Sequence, residues 1–460
     1  MSTGANPTLP PGPRLPRPVQ TLGWVTRPMA FMERCQQRYG DTFTLRIQNE
    51  GQWVFLCDPE DVKRVFTGDP NLLRAGEANA ILGPVVGSRS VLLLDEPEHM
   101  THRKLMLPPL HGERMQSYGE LMLDVTREEI ERWPLGEPFA LWPRMQAITL
   151  EIIMRAVFGI TDSEHLSSLR GLLRSMLDWT TDRRQLGLMA VLGPQRIERR
   201  EAFRQLMDPI DEAVIAEIRD RRESPDLASR QDILSMLVQA RYEDGSPMSD
   251  RELRDELITL LVAGHETTAT SLAWALERLL RHPQKLDRLR EEAAAGVDTY
   301  TEAVVKETLR LRPVLPIVLR RLAAPMQFGG YQIPAGASVA PCIYLMHRRE
   351  DVYSQPQQFR PERFLEAEGG RAPGTYTWIP FGGGVRRCLG ASFAQFEMAR
   401  VLQSVLGELD LRATEQRSER AVRRAITFTP DRQAMALVKA RRSYSPSSPT
   451  AIGELAGTLG

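Results

Sequence analysis

The chain has 460 residues, 42% of them apolar, so it can bury a large hydrophobic core. Its 59 basic residues balance its 59 acidic residues, and bulk charge therefore gives no reason to expect a nucleic-acid partner. No run approaches the ~18 apolar residues that span a bilayer, and four scattered cysteines fit a reducing compartment. These features predict a cytoplasmic protein without a membrane anchor.

The two ends of the chain have the composition of flexible segments. Residues 1–20 are Pro-rich, and residues 441–460 carry Ser, Pro, Thr and Gly without periodicity. The residues upstream of Pro10 lack the apolar core of a signal peptide. We therefore expect one domain over residues 21–440 between two flexible ends.

Two short runs near the start of this domain predict a β-hairpin. Thr42–Gln48 and Trp53–Cys57 flank a turn at residues 49–52 and are rich in β-branched and aromatic residues. Tyr331–Ile333 and Ser338–Ile343 are similar in character. We expect these later runs to add strands to the hairpin.

Almost everything between about residues 60 and 310 has helical periodicity, which predicts a mainly α fold with a smaller β region. The longest pattern extends from about Asp250 to Arg281, and a helix of that length spans roughly 50 Å. Residues 263–270 break it with the sequence AGHETTAT, where Gly costs about 1 kcal/mol and Thr competes for backbone carbonyls. Either two helices meet here, with a threonine as N-cap, or the break serves function.

A charged pair follows on the next predicted helix. Glu307 and Arg310 are three residues apart, so they share a helix face and can jointly hold a third charge. Such pairs are common on surface helices and contribute only about 0.2–0.5 kcal/mol each. The pair alone therefore supports no specific function.

Residues 381–390, FGGGVRRCLG, are the most informative segment. Cys388 follows a three-glycine turn, and the other cysteines lie far away in sequence, whereas a zinc site or an iron–sulfur cluster needs three or four clustered ligands. One thiolate on one iron suggests haem. Glycines let the backbone adopt positive φ and approach a flat ligand, and a helix starting near Leu389 lowers the thiol pKa. A buried structural cysteine is the alternative, and it is the commoner role of a lone cysteine.

Together these patterns resemble the cytochrome P450 family. The resemblance covers roughly residues 20–440, and its last pattern is highly specific. Five segments support it, in the family's order: His99–Arg103 (H-x-x-x-R), residues 263–267 (A/G-G-x-D/E-T), Glu307–Arg310 (E-x-x-R), residues 359–364 (F-x-P-x-R-F) and residues 381–390 (F-x-x-G-x-R-x-C-x-G).

The resemblance implies the P450 fold, with haem b (iron protoporphyrin IX) between the long central helix and the loop that provides the axial iron ligand, Cys388. It also implies that Arg363 joins Glu307 and Arg310 in a structural triad. The residues expected to contact the cofactor are Cys388, His99, Arg103, Arg320, Phe381, Gly382, Arg386, Gly390, Ala263 and Gly264. Arg321 is an alternative to its neighbour Arg320 as a propionate contact.

Two further residues are assigned to catalysis by the resemblance. Thr267 would hydrogen-bond dioxygen, and Glu266 would relay protons toward it. His265 occupies the variable position of the same motif, which more often faces away from the iron, so we expect it to be structural.

The resemblance implies a bacterial-type monooxygenase that inserts one oxygen atom from O2 into a hydrophobic small molecule such as a fatty acid, terpenoid or related lipid. No flavin or ferredoxin module follows the haem segment, so we expect electrons from a ferredoxin with its NAD(P)H-dependent reductase, or from a flavodoxin. A monomer is expected. A P450 that rearranges or couples substrates without oxygen insertion, and a haem-thiolate binding or sensor protein without turnover, are the alternatives. The presence of both Glu266 and Thr267 favours oxygen activation.

Overall fold

The structure is a computed structural model that describes residues 9–112, 114–159, 163–371, 373–424 and 426–442. The described helices are α1 (Arg17–Thr26), α2 (Pro28–Tyr39), α3 (Pro59–Thr67), α4 (Ala75–Ala78), α5 (Gly83–Val86), α6 (Glu98–Met106), α7 (Arg114–Ile130), α8 (Leu141–Phe158), α9 (Ser163–Thr181), α10 (Arg183–Leu192), α11 (Pro194–Glu198), α12 (Glu201–Glu223), α13 (Ile233–Gln239), α14 (Asp250–Leu279), α15 (Pro283–Ala294), α16 (Thr299–Leu311), α17 (Ile343–Met346) and α18 (Ala391–Glu408). The described strands are β1 (Thr42–Ile47), β2 (Gly51–Leu56), β3 (Leu73–Arg74), β4 (Pro138–Ala140), β5 (Arg320–Leu322), β6 (Met326–Phe328), β7 (Tyr331–Ile333), β8 (Ser338–Pro341), β9 (Leu409–Ala413), β10 (Ala421–Arg424), β11 (Thr427–Pro430) and β12 (Met435–Arg441). The predicted fold class, mainly α with a smaller β region, is confirmed.

The predicted hairpin forms the edge of the largest sheet, whose strand order is β1-β2-β8-β5-β3. β1 and β2 pair antiparallel, and β8 joins β2 in parallel, as expected for the run that starts at Ser338. The expectation for Tyr331–Ile333 was wrong. This run forms β7, which pairs with β6 in a separate two-stranded sheet, because the turn at Gly329 and Gly330 folds the chain directly back on itself.

The long central helix α14 is continuous through its polar middle. A capping box between Ser249 and Glu252 fixes its first turn. Thr267 Oγ1 donates to the Ala263 carbonyl at 2.6 Å, so the helix's own backbone satisfies this hydroxyl. The alternative of two helices meeting here is therefore wrong. Most of the helix is buried, and α8 packs along it.

The described part of the N-terminal segment is anchored to the sheet. The Pro10 carbonyl accepts a hydrogen bond from Thr44 Oγ1 at 2.8 Å, and the Pro11 carbonyl accepts one from the Thr44 backbone at 2.9 Å. Residues 1–8 and 443–460 lie outside the described residues. The proposed domain limits at residues 21 and 440 stay a prediction.

Candidate active site

Protein surrounds the Cys388 thiol. Surrounding protein raises the pKa of the thiol, while the Gly390 backbone N–H and the nearby guanidinium groups of Arg103 and Arg387 lower it. The residue is nevertheless accessible to solvent, unlike the other three cysteines. Accessible surface on a residue enclosed by protein indicates a void beside the sulfur.

The glycines ahead of Cys388 shape this loop in two different ways. Gly382 and Gly384 have φ values of +68° and +66°, a region that other residues rarely adopt. Gly383 is extended, and a Cβ there would lie 2.3 Å from the Phe66 ring of α3. The expectation of positive φ is thus wrong for Gly383, which is glycine because the loop packs so closely on α3. The loop ends at Gly390, the N-cap of α18, where a Cβ would meet no other protein atom within 4 Å.

A cationic cluster lies between α6, β5 and the Cys388 loop. Arg386 bonds Asp95 Oδ1 at 3.1 Å, while its Nε is buried without a hydrogen-bond partner among the described residues. Burial lowers the pKa of Arg386 and of Arg103, and it lowers the pKa of Arg320 to about 10. Neighbouring guanidinium groups lower these pKa values further, Arg103 acting on Arg386, Arg387 on Arg103 and Arg386 on Arg320, while Asp95 and Glu96 oppose the shifts. These three arginines have an excess of positive charge over the carboxylates near them.

His99 extends the cluster from the same face of α6 as Arg103, as the sequence predicts. Its Nδ1 lies 2.7 Å from Glu96 Oε1, and burial followed by repulsion from Arg386 lowers its pKa to about 4. A neutral His99 that donates to Glu96 presents a bare Nε2. It can donate to an anion only after protonation, which a bound carboxylate would favour.

The choice between Arg320 and Arg321 is decided by strand alternation. Arg320 is buried and interacts electrostatically with Arg386 and Asp95. Arg321 points to the other face of β5 and donates to the Gly336 carbonyl at 2.7 Å. Arg320 is therefore the residue in the cationic cluster.

The middle of α14 also has an accessible residue. Ala263 is exposed although the helix around it is largely buried. A Cβ on Gly264 would contact only Ile153 of α8, at 3.5 Å. Phe381 is half-buried and packs edge-on to Trp378 at a ring separation of 6.3 Å. Accessible Ala263 and accessible Cys388 are consistent with one space between α14 and the loop.

Glu266 is turned toward α8 and β11. Gln146 Nε2 donates to its Oε2 at 2.9 Å, and Thr427 Oγ1 donates to its Oε1 at 3.4 Å. Burial raises the pKa of Glu266 to about 7, although Gln146, Arg424 and Thr427 lower it. This carboxyl can therefore both donate and accept a proton near neutral pH.

His265 lies on the α8 side of the helix. Its Nδ1 is 2.9 Å from Thr149 Oγ1, and burial lowers its pKa to about 4. These contacts agree with the expectation that His265 is structural.

Glu307, Arg310 and Arg363 lie together as expected. Arg310 binds Glu307 through two hydrogen bonds of 2.7 and 2.9 Å, and both side chains are fully buried. Arg363 Nε reaches Glu307 Oε1 at 3.4 Å. Arg310 also donates to the carbonyls of His347, Pro356 and Gln358, so the pair fixes a long loop as well as its own helix.

No pattern in the sequence marks the residue that connects this triad to the Cys388 loop. His347 is fully buried, its Nδ1 lies 3.2 Å from the Arg310 carbonyl, and its Nε2 accepts from the Ile379 backbone at 2.9 Å. Tyr353 and Trp378 add hydrogen bonds on either side, to Thr377 and Lys306. Hydrogen bonds to Arg310 and Lys306 of α16 therefore fix the position of the residues just before Phe381.

Asp95 and Gln146 were also missed from the sequence. Asp95 accepts from the backbone of Gly76 at 2.7 Å and of Glu77 at 3.0 Å besides binding Arg386. One acidic residue among the three in residues 95–98 and a single amide in a helix have no local pattern that marks their distant partners.

These features fit a flat dianionic cofactor with one thiolate ligand. The cationic cluster has an unfilled buried donor, α14 presents small residues, and the only accessible thiol among the described cysteines faces a void. Haem, with two propionates and an iron that takes an axial thiolate, matches each of these.

Comparison with known proteins places the chain in a family. The model of the family described as Cytochrome P450 matches residues 10–435. Cytochrome P450 135B1 of Mycobacterium tuberculosis is 41% identical over 97% of this chain and 95% of its own length. Cytochrome P450 138 of Mycobacterium bovis is 40% identical over 92% and 94%. The chain therefore belongs to the cytochrome P450 family of haem enzymes.

Solved structures agree on the fold. Retinoic-acid-bound cyanobacterial CYP120A1 superposes with a TM-score of 0.82 at 23% identity, over 95% of this chain and 100% of that one. The haem domain of cytochrome P450DA gives a TM-score of 0.81, also at 23% identity, over 94% and 98%. In the described ranges, no helix combines the length and the apolarity needed to cross a membrane.

The triad makes the first testable prediction. Glu307→Ala leaves Arg310 buried without its carboxylate, at a cost of ~3–5 kcal/mol, so the protein should lose haem or fail to fold. The matched control is Glu302→Ala on the same helix, whose half-exposed pair with Lys306 contributes little. Haem content per protein and the thermal midpoint are the measurements. A stable, fully loaded Glu307→Ala protein would contradict the structural role.

The thiol makes the second prediction. Cys388→Ala should abolish the red-shifted carbon monoxide band of the reduced protein, because that band requires a thiolate ligand. Cys35→Ala, at a buried cysteine of the core, should retain it. Persistence of the band in a folded Cys388→Ala variant would show that the ligand assignment is wrong.

Proposed function

We propose that the protein is a monooxygenase that inserts one oxygen atom from O2 into a hydrophobic small molecule. Bound haem b would supply the redox chemistry that reduces and splits dioxygen. Cys388 would ligate the iron, and Arg103, Arg320 and Arg386 would neutralise the propionates.

The observation that supports oxygen activation is the acid next to a hydroxyl in the wall of the void. Glu266, with a pKa of about 7, and Thr267 are adjacent on α14. Thr267 bonds its own helix through its hydroxyl hydrogen, so the hydroxyl oxygen remains available to accept a proton or a hydrogen bond. A proton donor and a hydroxyl at this point are needed to deliver protons, whereas mere cofactor binding needs neither.

Glu266 must turn to act, because its carboxyl is held away from the void. Gln146 and Thr427 keep it between α8 and β11. Each contact is a single hydrogen bond, and a side-chain rotation exchanges them at modest cost. Glu266 would take up a proton while its carboxyl lies on the β11 side. After rotation it would donate that proton toward Thr267.

The substrate is proposed to be a fatty acid, terpenoid or related lipid. The segment Val314–Leu319 approaches the Cys388 loop, since a Cβ on Gly382 would lie 3.7 Å from Val318. Ala263 is a further apolar group, exposed on α14. Apolar walls with few polar anchors suit a hydrophobic ligand.

Electron supply is proposed to come from a ferredoxin and its NAD(P)H-dependent reductase, or from a flavodoxin, and the enzyme is proposed to be a cytoplasmic monomer. Turnover with such partners across a panel of lipids and terpenes tests the reaction. Oxygenated product supports the proposal. Rearranged or coupled product would favour the alternative enzyme. Absence of product, together with tight binding seen as a substrate-induced spectral change, would favour the sensor.

The third prediction concerns Thr267. Thr267→Ala should bind substrate with nearly unchanged affinity but release peroxide and yield little product per NADPH, because proton delivery to dioxygen loses its partner. Thr267→Ser, which retains the hydroxyl, should restore most of the coupling. The ratio of product to NADPH consumed is the measurement, and unchanged coupling in the alanine variant would mean that Thr267 only packs.

The fourth prediction concerns Glu266 and pH. The rate of oxygen consumption should fall as the pH rises through about 7, because the protonated donor is depleted above its pKa. Glu266→Gln should slow oxygen consumption and flatten this dependence, since glutamine does not titrate. Substrate binding serves as the control and should not change. A pH profile identical to that of the unmodified protein would exclude Glu266 as the proton donor.

A further inference from the structure

An exposed apolar surface lies on α1 and on the residue Leu15 just before it. In the described part of the chain ten large apolar side chains are exposed, and four of them fall within eleven residues: Leu15, Val19, Leu22 and Val25. Two more, Val422 and Ile426, belong to the β10–β11 hairpin. This concentration is unusual because exposed apolar side chains are normally scattered singly.

The helix pattern shows that the exposure is one-sided. Val19, Leu22 and Val25 fall on one arc of α1, since their spacing of three residues keeps them within about 120°. Gln20 and Trp24 occupy the opposite arc and are buried. Gln20 fixes that face, because its side chain bonds the Leu15 and Pro13 carbonyls and accepts from the Arg46 backbone at 2.9 Å. These hydrogen bonds hold the opposite face of α1 against the protein, and the apolar arc therefore faces solvent.

The hairpin lies beside this helix. The Arg423 guanidinium is 5.6 Å from the centre of the Trp24 ring. Thr427, in the same hairpin, reaches Glu266 of α14. The apolar surface on α1 is thus one short hairpin away from the candidate active site.

The charge around the arc is positive. Arg14, Arg17 and Arg27 flank it, all exposed, and no acidic residue precedes Glu33 in the sequence. The bulk of the chain is neutral, so this excess is local. An apolar arc flanked by arginines is the pattern of a helix that lies in the plane of an anionic lipid surface, with its guanidinium groups at the headgroups.

We propose that α1, with Val422 and Ile426 of the β10–β11 hairpin, docks reversibly on an anionic lipid surface and places the hydrophobic pocket next to the membrane. Six partly inserted side chains and three arginines give weak, salt-sensitive binding rather than anchoring. The docking is a property of the surface and needs no turnover, so it stands or fails separately from the proposed reaction.

The fifth prediction is tested by sedimentation of the full-length holoenzyme with phosphatidylcholine vesicles, with and without phosphatidylglycerol. The protein should bind the mixed vesicles, and added salt should weaken binding. Leu22→Glu should reduce partitioning at least about tenfold, because a charge replaces an inserted leucine. Leu135→Glu is the matched control, since Leu22 is 61% and Leu135 60% exposed, and it should bind normally.

The arginines are tested separately. Arg14→Gln and Arg17→Gln should each weaken binding about fivefold, since a basic side chain near an anionic surface contributes about 1 kcal/mol. Arg251→Gln, at an exposed arginine in the first turn of α14, should have no effect. No binding to anionic vesicles, or equal binding by Leu22→Glu and Leu135→Glu, would overturn the proposal. A dimer that Leu22→Glu dissociates would also overturn it, because the arc would then pair with a second copy.

Discussion

The buried Glu307–Arg310 pair is the interaction on which the site depends most. Both side chains are fully buried, and two short hydrogen bonds join them, so neither can lose its partner without leaving a charge in a medium that solvates it poorly. Arg310 directs its remaining donors to three carbonyls of the loop after α17. The buried Arg310 guanidinium, which needs these partners, thereby fixes the conformation of a loop that has no regular secondary structure.

His347 transmits this constraint to the cofactor loop. It is neutral because burial and Arg310 lower its pKa far below the usual range, and a neutral ring can donate on one side and accept on the other. The Ile379 N–H donates to His347 Nε2, and Ile379 lies two residues before Phe381. The position of Cys388 is therefore set from α16 through the loop, and from α3 through the close packing of Gly383 on Phe66.

Sequence reasoning succeeded where the constraint is local and failed where it comes from a distant partner. The helical period predicted α14, and a three-residue spacing placed Glu307 beside Arg310. The pairing of Tyr331–Ile333 was wrong because strand character does not identify the partner strand, and a tight turn supplied a nearer one. Gly383 was assigned a positive φ because glycine permits both a special dihedral and a close contact, and only the neighbour distinguishes them. His347, Asp95 and Gln146 acquire their roles solely from groups far away in sequence.

Burial has opposite effects on the two sides of the candidate site, and both favour the proposed chemistry. On the α14 side it raises the pKa of Glu266 to about 7, so the carboxyl retains a proton that an exposed glutamate would release. On the loop side it lowers the pKa of Arg103, Arg320 and Arg386, which shows that their charges are held at a cost. An anionic cofactor offsets that cost at the arginines. It does not stabilise the ionised form of Glu266. Low polarity therefore favours an anionic ligand at the cationic cluster, and on the α14 side it leaves Glu266 able to exchange a proton near neutral pH.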